Sequence, residues 1–184
     1  DIGCCKGMFL KVAAHLFPAM RGLGVDPSYE SDHDENPPSN LKFVNSVFSA
    51  NQITERPALV VCRHVLEHIH QPIDFLKSIQ SALALFPGVP FFLEVPDLLW
   101  IIKNRTFWDF CYEHCNYFTS ESISHVLSVS GFTPQLIQNA FGGQYLWVEV
   151  INTPSTLQPN QASLATAAIA TTVTTLSEYV QTEA

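Results

Sequence analysis

Apolar runs alternate with amphipathic segments along most of the chain. Runs of apolar and β-branched residues predict strands at 22–26, 41–47, 58–63 and 90–95. Apolar residues recur at helical spacing in three further segments, which predict helices over 8–17, 72–85 and 120–130. The acidic, proline-rich stretch 30–40 predicts a loop. Strands that alternate with helices in this way predict an α/β domain with a mostly parallel sheet.

Two of the predicted helices carry a continuous apolar face. The face of the first helix consists of Phe9, Val12, Ala13 and Leu16. The stripe that we expect to be buried in the second helix consists of Ile73, Leu76, Ile79 and Leu83. A stripe of this width is what an amphipathic helix places against the core of a globular domain.

The pattern changes after the last predicted helix. Segments 132–138 and 144–151 flank Gly142 and Gly143 and predict an antiparallel hairpin at the end of the sheet. From Asn152 onward the composition shifts to threonine, alanine, serine and glutamine. We therefore interpret residues 1–151 as one domain, and residues 152–184 as a linker or the start of a further region.

Composition excludes some classes of function. The formal net charge is -8, and only nine lysine and arginine residues are spread over 184 positions. A nucleic-acid groove needs clustered positive charge, so we expect no nucleic-acid partner. No apolar run reaches the roughly twenty residues that a membrane span needs, so we expect no membrane partner. Five cysteines without a Cys-x-x-Cys pair suit reduced thiols in the cytoplasm.

The first seven residues carry the most specific motif. Gly3 and Gly7 lie in Asp1-Ile2-Gly3-Cys4-Cys5-Lys6-Gly7, at a predicted strand-to-helix turn. The acidic Asp26 follows about twenty positions later and closes the next predicted strand. Closely spaced glycines let a backbone pass close to a ligand, and a carboxylate at the second position accepts hydrogen bonds from a ribose. The arrangement is typical of nucleoside-binding α/β domains.

This motif resembles that of the class I S-adenosylmethionine (SAM) dependent methyltransferases, which reads roughly Asp/Glu-x-Gly-x-Gly-x-Gly. Cys5 stands at the position of the usual middle glycine. The resemblance implies a Rossmann-like fold, SAM as the cofactor, and Asp26 as the acceptor for both ribose hydroxyls. The cofactor-binding residues that it implies are Asp1, Gly3, Gly7, Asp26, Arg63 and His64.

The segment His64-Val65-Leu66-Glu67-His68 allows two interpretations. It matches His-x-x-Glu-His, in which two histidines of a helix bind zinc and the glutamate activates water, as in a metalloprotease. It also resembles the phrase that follows the fourth strand of the methyltransferase family, where Arg63 and His64 border the SAM pocket. The second interpretation implies no metal.

An aromatic cluster at 108–118 contains a third motif. Its Glu113-His114 pair resembles the Glu-His segment of a methyltransferase branch that includes sugar C-methyltransferases. The resemblance implies that His114 is the catalytic base and Glu113 its supporting acid, with Tyr112 beside them. An alternative is that the cluster only packs over the cofactor.

Together these resemblances predict a SAM-dependent methyltransferase that acts on a small-molecule acceptor, at a carbon or an oxygen. The alternative is a non-catalytic module that binds SAM or another nucleoside. In the family's sheet the first strand lies between the second and the fourth, and this sequence begins at the last residues of that strand. We therefore expect the first strand to be largely missing and residues 1–184, expressed alone, to be unstable.

Overall fold

The computed structural model describes residues 1–30 and 38–152. The predicted loop at 30–40 lies largely outside the described residues, and so do nearly all of residues 152–184. Within the described ranges, no helix combines the length and the apolar character needed to cross a membrane.

Most of the predicted elements are present, with ends that differ by a few residues. The helices are α1 (Met8–Leu16), α2 (Pro72–Leu83), α3 (Leu98–Asn104) and α4 (Ser120–Val129). The strands are β1 (Gly22–Val25), β2 (Leu41–Val44), β3 (Val60–Arg63), β4 (Pro90–Pro96), β5 (Pro134–Ala140) and β6 (Tyr145–Ile151). Helix α3 was not predicted, because its apolar sequence directly continues that of β4. Asp97 separates the two elements, since its carboxylate accepts a hydrogen bond from the N–H of Leu99 at 3.0 Å.

The strands form a mixed sheet. Strand β1 pairs with β2 in parallel, and β3 pairs with β4 in parallel. Strand β6 lies antiparallel to both β4 and β5. Ile2 forms parallel bridges to Val25 on one side and to Cys62 on the other, and so joins the two parts. The predicted Rossmann-like class, with a C-terminal antiparallel hairpin, is confirmed, and Ile2 occupies the middle position expected of the first strand.

The apolar face that the sequence predicts for α1 is not the face that the helix buries. The helix buries Leu10 and Ala14, whereas Phe9, Val12 and Leu16 are exposed. Leu10 packs against the glycine that opens β1, where even a Cβ atom would stand 3.2 Å from the leucine side chain. Helix α1 has apolar residues on both faces, so spacing alone does not determine which face meets the sheet.

Helix α2 follows its predicted stripe from the second turn onward. Leu76, Ile79 and Leu83 are fully buried, but Ile73 in the first turn is 37% exposed. The buried side chains pack with Phe91 and with other residues of β4 and β6 into one hydrophobic core. This core holds the sheet at whose edge the candidate site lies.

We expect Ile79→Ala to lower the free energy of unfolding by about 2–5 kcal/mol, because it leaves a cavity in the core. The matched control is Ile73→Ala in the same helix, for which we expect a loss of about 1 kcal/mol or less. Chemical denaturation of the two variants measures the difference. Equal losses would contradict the burial of the stripe described here.

Candidate functional site

The turn between Ile2 and α1 has a left-handed backbone at three positions. Gly3 and Gly7 both have φ of 75°, and Cys5 has φ of 50°. A Cβ atom on Gly3 would stand 2.1 Å from a methyl group of Val65, and one on Gly7 would stand 2.4 Å from the ring of Phe43. The two glycines are therefore required by their conformation and by the close packing of the turn on the protein's own side chains. Cys5 adopts the same left-handed conformation although it carries a side chain.

Asp26 fastens this turn to the end of β1. Its Oδ2 accepts a hydrogen bond from the N–H of Cys5 at 2.7 Å. Its Oδ1 accepts from the N–H and the hydroxyl of Ser28, at 2.7 and 2.6 Å. Burial opposes the charge of Asp26, but the three hydrogen bonds outweigh it and hold the pKa of the carboxyl below its ordinary value. A carboxylate has roughly four acceptor positions, so about one remains for a ligand. The sequence resemblance implies hydrogen bonds from both ribose hydroxyls to Asp26, whereas its internal bonds leave room for about one.

Arg63 and His64 lie at the carboxyl end of β3, beside a buried carboxylate of β4. The Nε of Arg63 is 3.3 Å and the Nε2 of His64 is 2.8 Å from Oε1 of Glu94. On its other side, the Nδ1 of His64 is 3.6 Å from Oε1 of Glu67. Both glutamates are almost wholly buried. His64 therefore bridges two buried carboxylates, and its ring edge also meets Tyr145 at 4.7 Å between ring centroids.

These contacts shift the charge equilibrium of His64. Its close contact with the Glu67 carboxylate raises the pKa most, burial lowers it, and the charges of Glu67 and Glu94 raise it further. The pKa of His64 consequently lies above its ordinary value of 6.5. A protonated His64 stabilises two carboxylates that would otherwise be costly to bury.

A loop brings His114 to the same edge of the sheet. The backbone carbonyl of Glu67 accepts hydrogen bonds from the N–H groups of Cys115 and Asn116, at 2.9 and 3.0 Å. The side chain of Asn116 adds a bond to the carbonyl of Ile69 at 2.6 Å. The loop is thereby fixed to the short 3-10 helix Leu66–His68. As a result the ring of His114 meets the ring of His68 edge-on, with 4.8 Å between the centroids.

Three buried polar atoms around this contact have no hydrogen-bond partner within the described residues. They are Oε2 of Glu67, Oδ2 of Asp109 and Nδ1 of His114. Leaving a buried polar atom unpaired costs about 1–3 kcal/mol. Glu67 and His114 belong to one cluster, and burial together with the charges of Asp109, Glu94 and Glu67 raises the pKa of Tyr145 beside it. The unpaired atoms therefore indicate a binding site for a polar ligand.

The structure brings together some of the residues that the sequence suggested. Gly3, Gly7 and Asp26 share the first turn, and Asp1 adjoins it, since its carbonyl accepts from the N–H of Val25 at 3.0 Å. The second half of the site lies at the carboxyl end of β3, and it contains Arg63, His64 and the loop residue His114, as the contacts above describe.

Two predicted residues do not join the cluster with their side chains. Tyr112 is fully exposed, at 101%. Glu113 is also exposed, and only its backbone carbonyl contacts the cluster, through Nδ1 of His68 at 2.9 Å. Both residues lie in a turn that exposes their side chains, so their position beside His114 in the sequence does not bring those side chains into the cluster.

In the sequence analysis Glu67 had a role only as the water-activating residue of the metalloprotease interpretation, and Glu94, Asp109 and Tyr145 were not named as site residues. The available signal was Glu94, a charged residue in the middle of an apolar strand, because a buried charge needs a partner or a function. The position of Asp109 depends on a loop conformation that no periodic pattern reveals.

The zinc-protease interpretation of His64 and His68 has no support. It requires both histidines on one helix face, but the helical segment here comprises only Leu66–His68. His64 faces Glu94 and Glu67, whereas His68 bonds to the carbonyl of Glu113.

Comparison with known proteins places these observations in a family. The family model described as "Methyltransferase domain" matches residues 1–137. No curated protein matches the chain.

Solved structures of low sequence identity share the fold. The N,N-8-amino-8-demethyl-D-riboflavin dimethyltransferase of Streptomyces davawensis has a TM-score of 0.64 and 18% identity, over 83% of this chain and 48% of that one. The 1,6-didemethyltoxoflavin-N1-methyltransferase of Burkholderia thailandensis has a TM-score of 0.61 and 18% identity, over 84% and 70%. Human N-acetylserotonin methyltransferase has a TM-score of 0.61 and 16% identity, over 84% and 47%. The chain spans about half the length of the first and third of these proteins.

We expect Cys5→Gly to be more stable than Cys5→Ala by about 1 kcal/mol, because only glycine adopts a left-handed conformation without a Cβ penalty. Both variants remove the thiol, so their difference isolates the backbone. Thermal and chemical denaturation measure it. Equal stability would mean that the turn does not hold residue 5 at positive φ.

We expect the stabilising effect of His64 to depend on pH. Because its pKa is raised in the folded state, its contribution is complete below the ordinary value of 6.5 and is lost as the pH rises through the folded value. The stability difference between the protein and His64→Gln should therefore shrink as the pH increases between about 5 and 8. Denaturant titrations across this range measure it. A difference that stays constant with pH would exclude a protonated His64 in the folded site.

Proposed function

The chain belongs to the methyltransferase domain family, and we propose that it transfers a methyl group from SAM to a small-molecule acceptor. The observation that carries the proposal is the pairing of two features at one sheet edge. One is the left-handed turn fastened by Asp26, and the other is the group of unpartnered buried atoms near His114. Among the structural neighbours, the human enzyme was determined with SAM, and the Burkholderia enzyme with S-adenosylhomocysteine and a small-molecule acceptor.

The first turn suits the cofactor. The N–H groups at the start of α1, just after Gly7, favour the carboxylate of its methionine part. The remaining acceptor position on Asp26 suits one ribose hydroxyl, in a charge-assisted hydrogen bond. Asp1 and Gly3 line the approach to the turn, and Arg63 and His64 border the far side. When bound, SAM supplies an electrophilic methyl group on a sulfonium ion.

The second half of the site suits the acceptor. The unpartnered atoms of Glu67, Asp109 and His114 can bind its polar groups and fix its orientation toward the methyl group. The imidazole of His114 is positioned to accept the proton that the acceptor carbon or oxygen gives up. The side chains of Glu113 and Tyr112 are exposed, so we assign them no direct part in the proton transfer. A sugar carbon remains one candidate acceptor, on the sequence resemblance alone.

The competing proposal is a module that binds SAM without catalysis. The observation that favours it is Cys5, whose side chain occupies a position of positive φ in the cofactor turn. Calorimetry with SAM, followed by measurement of S-adenosylhomocysteine release with a panel of hydroxylated and keto acceptors, separates the two. Binding without any turnover across the panel would favour the module.

We expect Asp26→Ala to weaken SAM binding by about 1.5–3 kcal/mol, because it removes a charged acceptor from the ribose. The same change also releases the N–H of Cys5, so it needs a control that disturbs only the internal bonds. Ser28→Ala removes one donor to Asp26 and keeps the carboxylate, and we expect it to bind SAM with nearly unchanged affinity. Calorimetry on the folded variants measures both. If Ser28→Ala loses as much affinity as Asp26→Ala, the effect belongs to the turn and not to a ribose contact.

A further inference from the structure

Glu67, His68 and His114 form a compact set of possible metal ligands. One oxygen of Glu67 and one ring nitrogen of each histidine all lie within 4.8 Å of one another. Glu67 is 1% exposed, so its carboxylate faces the cluster and not the solvent. The set combines two elements of the fold, since Glu67 and His68 follow β3 and His114 comes from the loop before α4.

A hydrogen bond of the His68 ring favours the tautomer that can bind an ion. Its Nδ1 lies 2.9 Å from the backbone carbonyl of Glu113. A carbonyl oxygen only accepts hydrogen bonds, so Nδ1 carries a proton, and in the neutral imidazole Nε2 then keeps its lone pair. This arrangement, in which one ring nitrogen is bound to a carbonyl and the other is left as a donor of electrons, is the usual outer-shell support of a metal-binding histidine.

The other two side chains, those of Glu67 and His114, also offer atoms that could bind an ion. Oε2 of Glu67 and Nδ1 of His114 are buried and have no hydrogen-bond partner within the described residues. Meanwhile Oε1 of Glu67 faces Nδ1 of His64 at 3.6 Å, which orients the carboxylate. A cation bound between these buried polar atoms would supply the interactions that they lack.

We propose that Glu67, His68 and His114 bind a divalent transition-metal ion, with zinc as the best fit. Two imidazoles and one carboxylate form a known ligand set for catalytic zinc, and they leave a further position open. Tetrahedral bonds of about 2.0–2.1 Å place zinc ligands roughly 3.3 Å apart, so the side chains close inward on the ion. This departs from the expectation of no metal that the sequence resemblance implied.

The inference rests on the proposed function for the role of the ion. The open position suits an oxygen of the methyl acceptor, which the ion would polarise as a Lewis acid. With the ion bound, His114 would act as a ligand and not as the base, and the polarised acceptor hydroxyl would lose its proton to solvent water before its oxygen takes the methyl group. A requirement for metal thus distinguishes this role of His114 from that of a simple base.

The test uses chelator-treated protein titrated with Zn²⁺ by calorimetry and with Co²⁺ by visible absorption. We expect one ion per chain and a cobalt spectrum of low-symmetry, four- or five-coordinate type. Glu67→Gln, His68→Ala and His114→Ala should each weaken Zn²⁺ binding at least tenfold. The matched control His15→Ala removes an exposed histidine of α1 and should leave the affinity unchanged.

SAM binding to the same variants keeps the two proposals separate. Because neither His68 nor His114 lies in the cofactor turn, SAM affinity should change less than twofold in His68→Ala and His114→Ala, and this also shows that these two variants fold. Absence of stoichiometric metal binding, or equal loss in His15→Ala, would overturn the metal site even if SAM binds. Metal binding that depends on the three ligands in a protein that does not bind SAM would uphold the site and overturn the proposed function.

Discussion

Pairing of Ile2 on both sides is the interaction on which the site depends. Its N–H donates to the carbonyl of Val61 at 2.8 Å, and the next N–H, that of Gly3, donates to the carbonyl of Val25 at 2.8 Å. These bonds align the ends of β1 and β3 at one edge of the sheet. The turn that follows Ile2 then emerges between Asp26 and His64. Both halves of the site thus meet because one short segment is paired with two strands.

Burial of charge is the second constraint. Glu67 and Glu94 lie almost entirely out of water, where an unpaired carboxylate is costly. Arg63 and His64 balance Glu94, and His64 contributes part of the balance for Glu67. The remaining atoms of Glu67, Asp109 and His114 have no hydrogen-bond partner among residues 1–30 and 38–152. Polar groups left in this state lower stability, so their retention is understandable where a ligand supplies the missing bonds.

Local pattern determined most of the fold but only part of the site. Continuous apolar runs predicted β3 and β4 because both faces of those strands are covered. The face of α1 could not be predicted, since Leu10 and Phe9 are equally apolar and only contact with β1 distinguishes them. The turn residues were predicted because left-handed backbone has a glycine signature. The contact of His114 with His68 was not predictable, since it depends on hydrogen bonds between segments that lie 45 or more residues apart in the chain.

Main-chain groups provide much of the attachment of the His114 loop, because the Glu67 carbonyl accepts from two successive backbone N–H groups, and the side chain of Asn116 adds to it. Every residue type except proline carries such a donor. Apart from Asn116, the loop can therefore exchange its side chains while its backbone stays in place. In evolution this separates two kinds of change, since the proposed acceptor side of the pocket can be altered residue by residue without loosening the backbone that holds it.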